Sequence, residues 1–155
     1  MTMNDPAATR LRLDAQRTTL AADSAPEVML AVGVRGIADR FFRHDPPTPF
    51  EMEQAIDMVE DALTSSRLQH AERGELMTND PLLQAWVTAG SLQGDAARLT
   101  RDEVEAIFQR LALASLGHPR ALAGLPTGRD AAAAVLILRE CMHHLGYRGI
   151  SFVAN

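Results

Sequence analysis

The sequence has 155 residues and a net charge of −5 at neutral pH, from 20 acidic side chains and 15 basic ones, all of them arginine. This length indicates a single domain with one hydrophobic core. The acidic balance argues against nucleic acid as a partner, because general affinity for nucleic acid depends on basic side chains that neutralise phosphates. The only cysteine, Cys141, cannot form an internal disulfide.

No apolar stretch approaches the roughly 20 residues of a membrane-spanning helix, so we expect no membrane partner. Residues 1–14 lack the apolar centre of a secretion signal, so we expect a cytoplasmic protein. We expect residues 1–8 to be disordered. Residues 9–155 are expected to form one α/β domain with an irregular segment near residues 66–97.

The first third of this domain predicts strands. Alternating apolar residues in the segment 9–20 favour a strand or a hairpin. The apolar run at residues 28–34 is typical of a strand buried on both faces. It leads into a turn in which Gly33 and Gly36 flank Arg35, and a helix is expected after that turn.

The rest of the sequence contains several signals for the starts and ends of helices. Thr48 with Glu51 and Thr100 with Glu103 have the spacing of capping boxes, which predicts helices over residues 49–65 and from residue 100 to about residue 116. Apolar periodicity predicts a third long helix over residues 130–145, closed by a glycine, and a short helix between residues 81 and 90. A strand is expected at residues 150–153. The fold class is therefore α+β or α/β and mostly helical, with three long helices packed on a small sheet.

Two glycine-bearing helix entrances are candidate anion-binding sites. Glycines permit close approach of the backbone, and a helix N-terminus attracts negative charge. The arginine at each entrance adds a forked donor. The candidate anion-binding residues are Gly33, Arg35, Gly36, Gly128 and Arg129.

The densest group of potential metal ligands lies in the third long helix. Glu140 and Cys141 each share a helical face with His144. A third ligand has to come from elsewhere in the chain, and His118 and His70 are the candidates. The alternative interpretation is a buried cysteine beside histidines that stabilise a helix C-terminus. We therefore predict no metal site and retain Cys141 and His144 as weak candidates.

Two further polar groups have simpler explanations. His44 and Asp45 precede two prolines, which is typical of a turn rather than of a metal-binding pair. The carboxylates on the helix 49–65 are more typical of a solvated helix face than of an acid/base site. These carboxylates belong to Glu53, Asp57, Glu60 and Asp61.

The order of segments in the C-terminal third resembles a known family. A helix begins after Arg98-Leu99-Thr100, a turn containing glycine and proline leads to Gly128-Arg129, and a long apolar helix and a strand follow. This order resembles the second lobe of the exopolyphosphatase and guanosine pentaphosphate phosphohydrolase family, which belongs to the actin-like, ribonuclease H-type superfamily. Residues 32–36 resemble the phosphate-side Gly-Gly-Thr turn of that family. The resemblance covers roughly two thirds of the chain.

The departures from the family determine what the resemblance implies. Enzymes of the family carry an Asp-x-Gly-Ser phosphate loop, a catalytic glutamate and a second glycine-serine-rich loop, and we find none of these motifs in the sequence. The resemblance therefore implies a non-catalytic protein similar to one lobe, without a cofactor. Its expected partners are a second copy or another protein, with a phosphate-containing small molecule as a further ligand.

Two alternatives remain open at this stage. One is a phosphatase that acts on polyphosphate or phosphorylated nucleotides with Mg²⁺, in which Arg35 and Arg129 clamp phosphate and the base is unidentified. The other is a metal-binding regulator that uses Cys141 and His144.

Overall fold

A computed structural model describes residues 8–23, 25–90 and 98–153. Six strands and five α-helices follow one another along these residues. The strands are β1 (Thr9–Leu13), β2 (Thr18–Ala22), β3 (Val28–Leu30), β4 (Glu75–Thr78), β5 (Arg98–Thr100) and β6 (Gly149–Phe152). The α-helices are α1 (Val34–Phe41), α2 (Pro49–Ser65), α3 (Pro81–Gly90), α4 (Arg101–Ser115) and α5 (Arg129–Leu145), and a 3₁₀ helix spans Pro119–Leu122. Disorder is expected for residues 1–8. Residues 1–7 lie outside the described ranges, and Ala8 lies within them.

The six strands form one mixed sheet in the order β3-β2-β1-β4-β6-β5. The meander β1-β2-β3 pairs antiparallel, whereas β4 pairs in parallel with both β1 and β6. The edge strand β5 pairs antiparallel with β6. Parallel neighbours need a crossover connection: α1 and α2 lie on the connection from the meander to β4, and α3, α4 and α5 lie on the connection from β4 to β6. The fold is therefore α/β, with the helices alternating with the central strands.

The two faces of the sheet differ because side chains alternate along each strand. Thr9, Leu11 and Leu13 of β1 are buried, while Arg10 and Arg12 between them are exposed. The buried face continues across the sheet through Leu20, Leu76, Leu99 and Ile150. The opposite face is called the outer sheet face here, and its residues include Arg10, Arg12, Ala21, Met29 and Met77.

Helix α5 lies at the centre of the helical layer, where it contacts the other four α-helices. Its first half is buried on every side, because Ala131 to Leu138 are all buried. Four consecutive alanines at residues 131–134 let the neighbouring helices approach closely. Trp86 of α3 is 1% exposed and donates its indole N–H to the carbonyl oxygen of Ala131 at 2.9 Å, which fixes α3 against α5.

The predicted helix signals are confirmed. The hydroxyls of Thr48 and Thr100 accept the backbone N–H of Glu51 and Glu103, and each glutamate accepts the N–H of its threonine in return. Gly146 ends α5 in the left-handed conformation, with φ of 87°. In the described ranges, every helix is too short or too polar to cross a membrane.

The strand predictions need correction. The strand expected over residues 28–34 ends at Leu30, and Val34 already belongs to α1. It is also not buried on both faces, because Met29 points outward and is 54% exposed. The sheet is larger than expected, since β4 lies at its centre within the segment 66–97 that was predicted to be irregular. Residues 91–97 of that segment lie outside the described ranges.

Candidate functional site

The entrance to α1 packs directly on the turn between β1 and β2. The backbone N–H of Val34 donates to the carbonyl oxygen of Asp14 at 3.2 Å, and the N–H of Gly36 donates to the carbonyl oxygen of Ala15 at 3.0 Å. A Cβ atom at Gly33 would lie 2.5 Å from backbone atoms of Ala15 and Arg17. Gly33 is therefore required by the close approach of two backbones. The N–H groups of Val34 and Gly36, in the first turn of α1, are therefore bound to backbone carbonyls of the β1–β2 turn.

Arg35 connects the entrances of α1 and α5. Its Nη1 lies 3.1 Å from Asp130 Oδ2, and its Nη2 lies 3.5 Å from Asp39 Oδ1. The hydrogen bond to Asp130, together with the charges of Asp130 and Asp39, raises the pKa of the Arg35 guanidinium. The positive charge of Arg35 is thus already balanced by two carboxylates.

Arg129 lies beside Asp130, and the structure therefore brings the two candidate arginines to the same helix contact. Arg129 Nη1 donates to the carbonyl oxygen of Phe42, which caps α1, at 3.2 Å. Gly128 precedes Arg129 with φ of 106°, a conformation that favours glycine. Both arginines make contacts that join α1 to α5.

The exposed His44 and the buried Glu51 form a hydrogen-bonded pair at the start of α2. His44 Nδ1 lies 2.8 Å from Glu51 Oε2, and Glu51 is 7% exposed. Burial raises the pKa of Glu51. Hydrogen bonds from the His44 ring and from the backbone N–H groups of Thr48 and His44 lower it by more, so the pKa of Glu51 lies below its ordinary value. The pair stabilises the start of α2, as expected for turn chemistry.

Cys141 is fully buried in the core. Burial raises the pKa of its thiol to about 12, and the negative charge of Glu140 acts in the same direction. A thiol with such a pKa is a poor nucleophile and a poor metal ligand near neutral pH. The other histidines considered as ligands, His70 and His118, are exposed and do not join the group around His144.

His144 instead meets two carboxylates. Its Nε2 lies 3.0 Å from Glu140 Oε2 on the same helix and 3.3 Å from Glu60 Oε1 on α2. Among the described residues, these three side chains form the group of potential ligands that converge on one point. The sequence pattern placed Glu140 beside His144 but assigned Glu60 to a solvated helix face. Only the packing of α2 on α5 shows that they meet.

The fold is similar to that of Ppx/GppA proteins. The structure of the Aquifex aeolicus Ppx/GppA phosphatase in its type II variant superposes with a TM-score of 0.66 and 12% sequence identity, over 96% of this chain and 53% of that one. An exopolyphosphatase-like protein matches with a TM-score of 0.63 and 14% identity, over 98% of this chain and 56% of that one. An exopolyphosphatase from Cytophaga hutchinsonii matches with a TM-score of 0.62 and 12% identity, over 98% and 54% of the two chains.

These similarities agree with the partial, one-lobe resemblance of the sequence. The chain spans about half the length of the solved structures that it matches. No family model matches the sequence, and no curated protein matches it. At such low identity the similarity shows the fold alone.

Proposed function

We propose that this protein is a non-catalytic interaction module that corresponds to one lobe of a phosphohydrolase-like fold and binds a second copy of itself. The observation that carries the non-catalytic part is the entrance to α1. Its glycines and N–H groups bind the turn between β1 and β2 instead of presenting an open anion site.

The arginines that were candidates for phosphate binding support the same conclusion. Arg35 binds Asp130 and Asp39, and Arg129 binds the C-terminal carbonyl of α1. A phosphate would compete with Asp130 and Asp39 for Arg35 and with the Phe42 carbonyl for Nη1 of Arg129. We therefore assign Gly33, Arg35, Gly36, Gly128 and Arg129 to the packing of α1 rather than to a ligand.

The outer sheet face supports a second copy as the partner. A two-fold contact needs a surface that is complementary to itself. The outer sheet face meets this requirement because exposed arginines, Arg10 and Arg12, lie close to Asp23 and Asp14. A shallow cavity of about 250 Å³ between Arg10, Asp23 and Met77 makes part of this face concave.

The catalytic alternative is tested with three substrates: polyphosphate, guanosine pentaphosphate and a generic phosphate ester, each with Mg²⁺. We expect no turnover above that of the buffer. The proposal is wrong if the protein hydrolyses any of them and if Arg35→Ala or Arg129→Ala abolishes the activity. Arg120→Ala is the matched control, because Arg120 is exposed and lies outside the contact between α1 and α5.

The self-association is tested by analytical ultracentrifugation at about 10–100 μM protein, the range in which weak dimers populate. We expect a dimer that the double variant Arg10→Glu/Arg12→Glu converts to a monomer, because like charges then face each other. Arg120→Glu reverses a charge elsewhere and is expected to leave the dimer intact. A wild-type protein that is monomeric throughout this range would refute a second copy as the partner.

A further inference from the structure

Glu60, Glu140 and His144 form a three-residue cluster at the contact between α2 and α5. Glu140 and His144 are one helical turn apart on α5, and Glu60 comes from the second half of α2. One potential ligand atom from each side chain lies within 4.8 Å of the other two. The cluster is separate from the entrances to α1 and α5 and has no part in the function proposed above.

The distances in the cluster suit a small divalent cation. The two shorter separations, both measured from His144 Nε2, are 3.0 Å and 3.3 Å. Ligand atoms at about 2.0–2.1 Å from a zinc ion lie roughly 3.0–3.4 Å from one another. Because Glu60 is half-exposed, rotation of its side chain can bring its oxygen toward the same centre.

The hydrogen bonding of the cluster is incomplete. His144 Nε2 carries at most one hydrogen, which points toward only one acceptor, and the ring makes its hydrogen bond with Glu60. Among the described residues, Glu140 Oε2 receives no hydrogen bond of acceptable geometry although Glu140 is 0% exposed. A buried carboxylate oxygen without a donor is unfavourable. A cation at the centre of the cluster would satisfy this oxygen.

The charges around the cluster also favour the binding of a cation. Arg139 Nη1 donates to Glu140 Oε1 at 2.8 Å, and the same guanidinium binds Glu105 through its Nε at 2.9 Å. One arginine therefore serves two carboxylates, and Glu60 adds a third negative charge. Three carboxylates outnumber the one guanidinium even when the imidazole is counted as positive, so the group has an excess of negative charge that a divalent ion would reduce.

Arg139 also holds Glu140 in the orientation that a ligand needs. Its guanidinium carbon lies 4.8 Å from the centre of the Phe108 ring, so the arginine is held by the ring as well as by its two carboxylate partners. With Oε1 bound to Arg139, Oε2 is left to face His144. Contacts of this kind around metal ligands orient the ligand and increase its affinity.

We propose that Glu60, Glu140 and His144 bind a divalent transition-metal ion, with zinc as the best fit to one imidazole and two carboxylates. The ion joins α2 to α5. Glu60 and His144 are 44% and 37% exposed, so solvent reaches the ion from their side and completes the coordination. An imidazole ligand favours zinc over magnesium.

The test is titration of chelator-treated, full-length protein with Zn²⁺ by isothermal calorimetry, and then with Mg²⁺. We expect one Zn²⁺ per chain and Mg²⁺ binding that is weaker by at least about 100-fold. His144→Ala and Glu60→Gln are expected to weaken Zn²⁺ binding by at least about 10-fold. Glu60→Gln is the safer variant for folding, because Glu60 is half-exposed whereas Glu140 is buried in the core.

Matched controls are His143→Ala and Glu53→Gln. His143 is the exposed neighbour of His144, and Glu53 is an exposed glutamate on α2. A second readout is thermal unfolding, in which Zn²⁺ is expected to raise the Tm of the wild type and of both controls but not that of Glu60→Gln. The proposal is overturned if the wild type binds no stoichiometric Zn²⁺, or if the ligand variants bind it as tightly as the controls do.

Discussion

Two glycines at the entrance to α1 are expected to respond in opposite ways to the same substitution. At Gly33, the added methyl group would lie 2.5 Å from three backbone atoms of Ala15 and Arg17, which cannot rotate away. At Gly36, the nearest atom is Gln16 Oε1 at 2.9 Å, the far end of a flexible side chain. Gly33 has extended backbone angles that any residue adopts, so the difference comes from space alone.

The magnitude for Gly33→Ala follows from what has to move. Separating the turn from α1 breaks the hydrogen bonds from Val34 and Gly36, which contribute about 1 kcal/mol each. Overpacking in a close contact costs about 1–3 kcal/mol. Alanine also restricts the unfolded chain more than glycine does, which offsets up to about 1 kcal/mol, so we expect a loss of about 2–4 kcal/mol in the free energy of unfolding. Gly36→Ala is expected to be neutral or to stabilise by up to about 1 kcal/mol, because alanine favours a helix over glycine.

Equilibrium unfolding in urea, followed by circular dichroism, measures both effects. With a slope of about 2 kcal/mol per M, the midpoint for Gly33→Ala is expected to fall by roughly 1–2 M. Equal midpoints for Gly33→Ala and the wild type would refute the steric argument. So would a loss of stability in Gly36→Ala as large as that in Gly33→Ala, because it would assign both glycines the same role.

Three further predictions concern buried polar groups. The lowered pKa of Glu51 means that its contribution to stability is present above the ordinary pKa of 4.5 and is lost as the pH falls further. Glu51→Gln should therefore lower the urea midpoint at pH 7 but hardly at pH 3, and an equal effect at both would contradict this. Cys141, with a thiol pKa of about 12, should resist iodoacetamide at pH 8 in the native protein and react once unfolded, as mass spectrometry will show. Trp86→Phe removes the hydrogen bond to Ala131 and should cost about 1–2 kcal/mol in urea unfolding, with an unchanged midpoint as the refuting result.

Helices with local start and stop signals were predictable from the sequence. The capping boxes at Thr48 and Thr100 involve residues three positions apart, and Gly146 marks the end of α5 by its own conformation. These signals do not depend on distant parts of the chain, and all of them agree with the structure. The three long helices were therefore placed almost to the residue.

The strands β4 and β5 were not predicted because their local signal is weak. β4 has only four residues, and although burial alternates along it at Leu76 and Thr78, its sequence does not alternate between apolar and polar side chains, because Leu76 and Met77 are adjacent. Its place at the centre of the sheet comes from pairing with β1 and β6, which are distant in sequence. Local pattern also misled for residues 28–34, since the packing of Gly33 on the β1–β2 turn ends the strand early.

The candidate sites illustrate the same limit. Arg35 and Arg129 were selected for their helix entrances, but their partners Asp130 and Phe42 follow only from the packing of α1 on α5. Cys141 and His144 share a helical face in sequence, yet one points into the core and the other reaches the contact with α2. No local spacing connects Glu60 with His144.

The position of β6 has a consequence for the order of folding. β6 lies between β4 and β5, so it alone connects β5 to the other strands, and residues 79–148 separate it from β4 in the chain. Pairings that close such long loops slow folding, because the loss of chain entropy precedes the gain from contacts. We expect the hairpin β1–β2 to form early and the sheet to be completed in a late step. During synthesis, β4 keeps an open edge until residues 149–152 leave the ribosome.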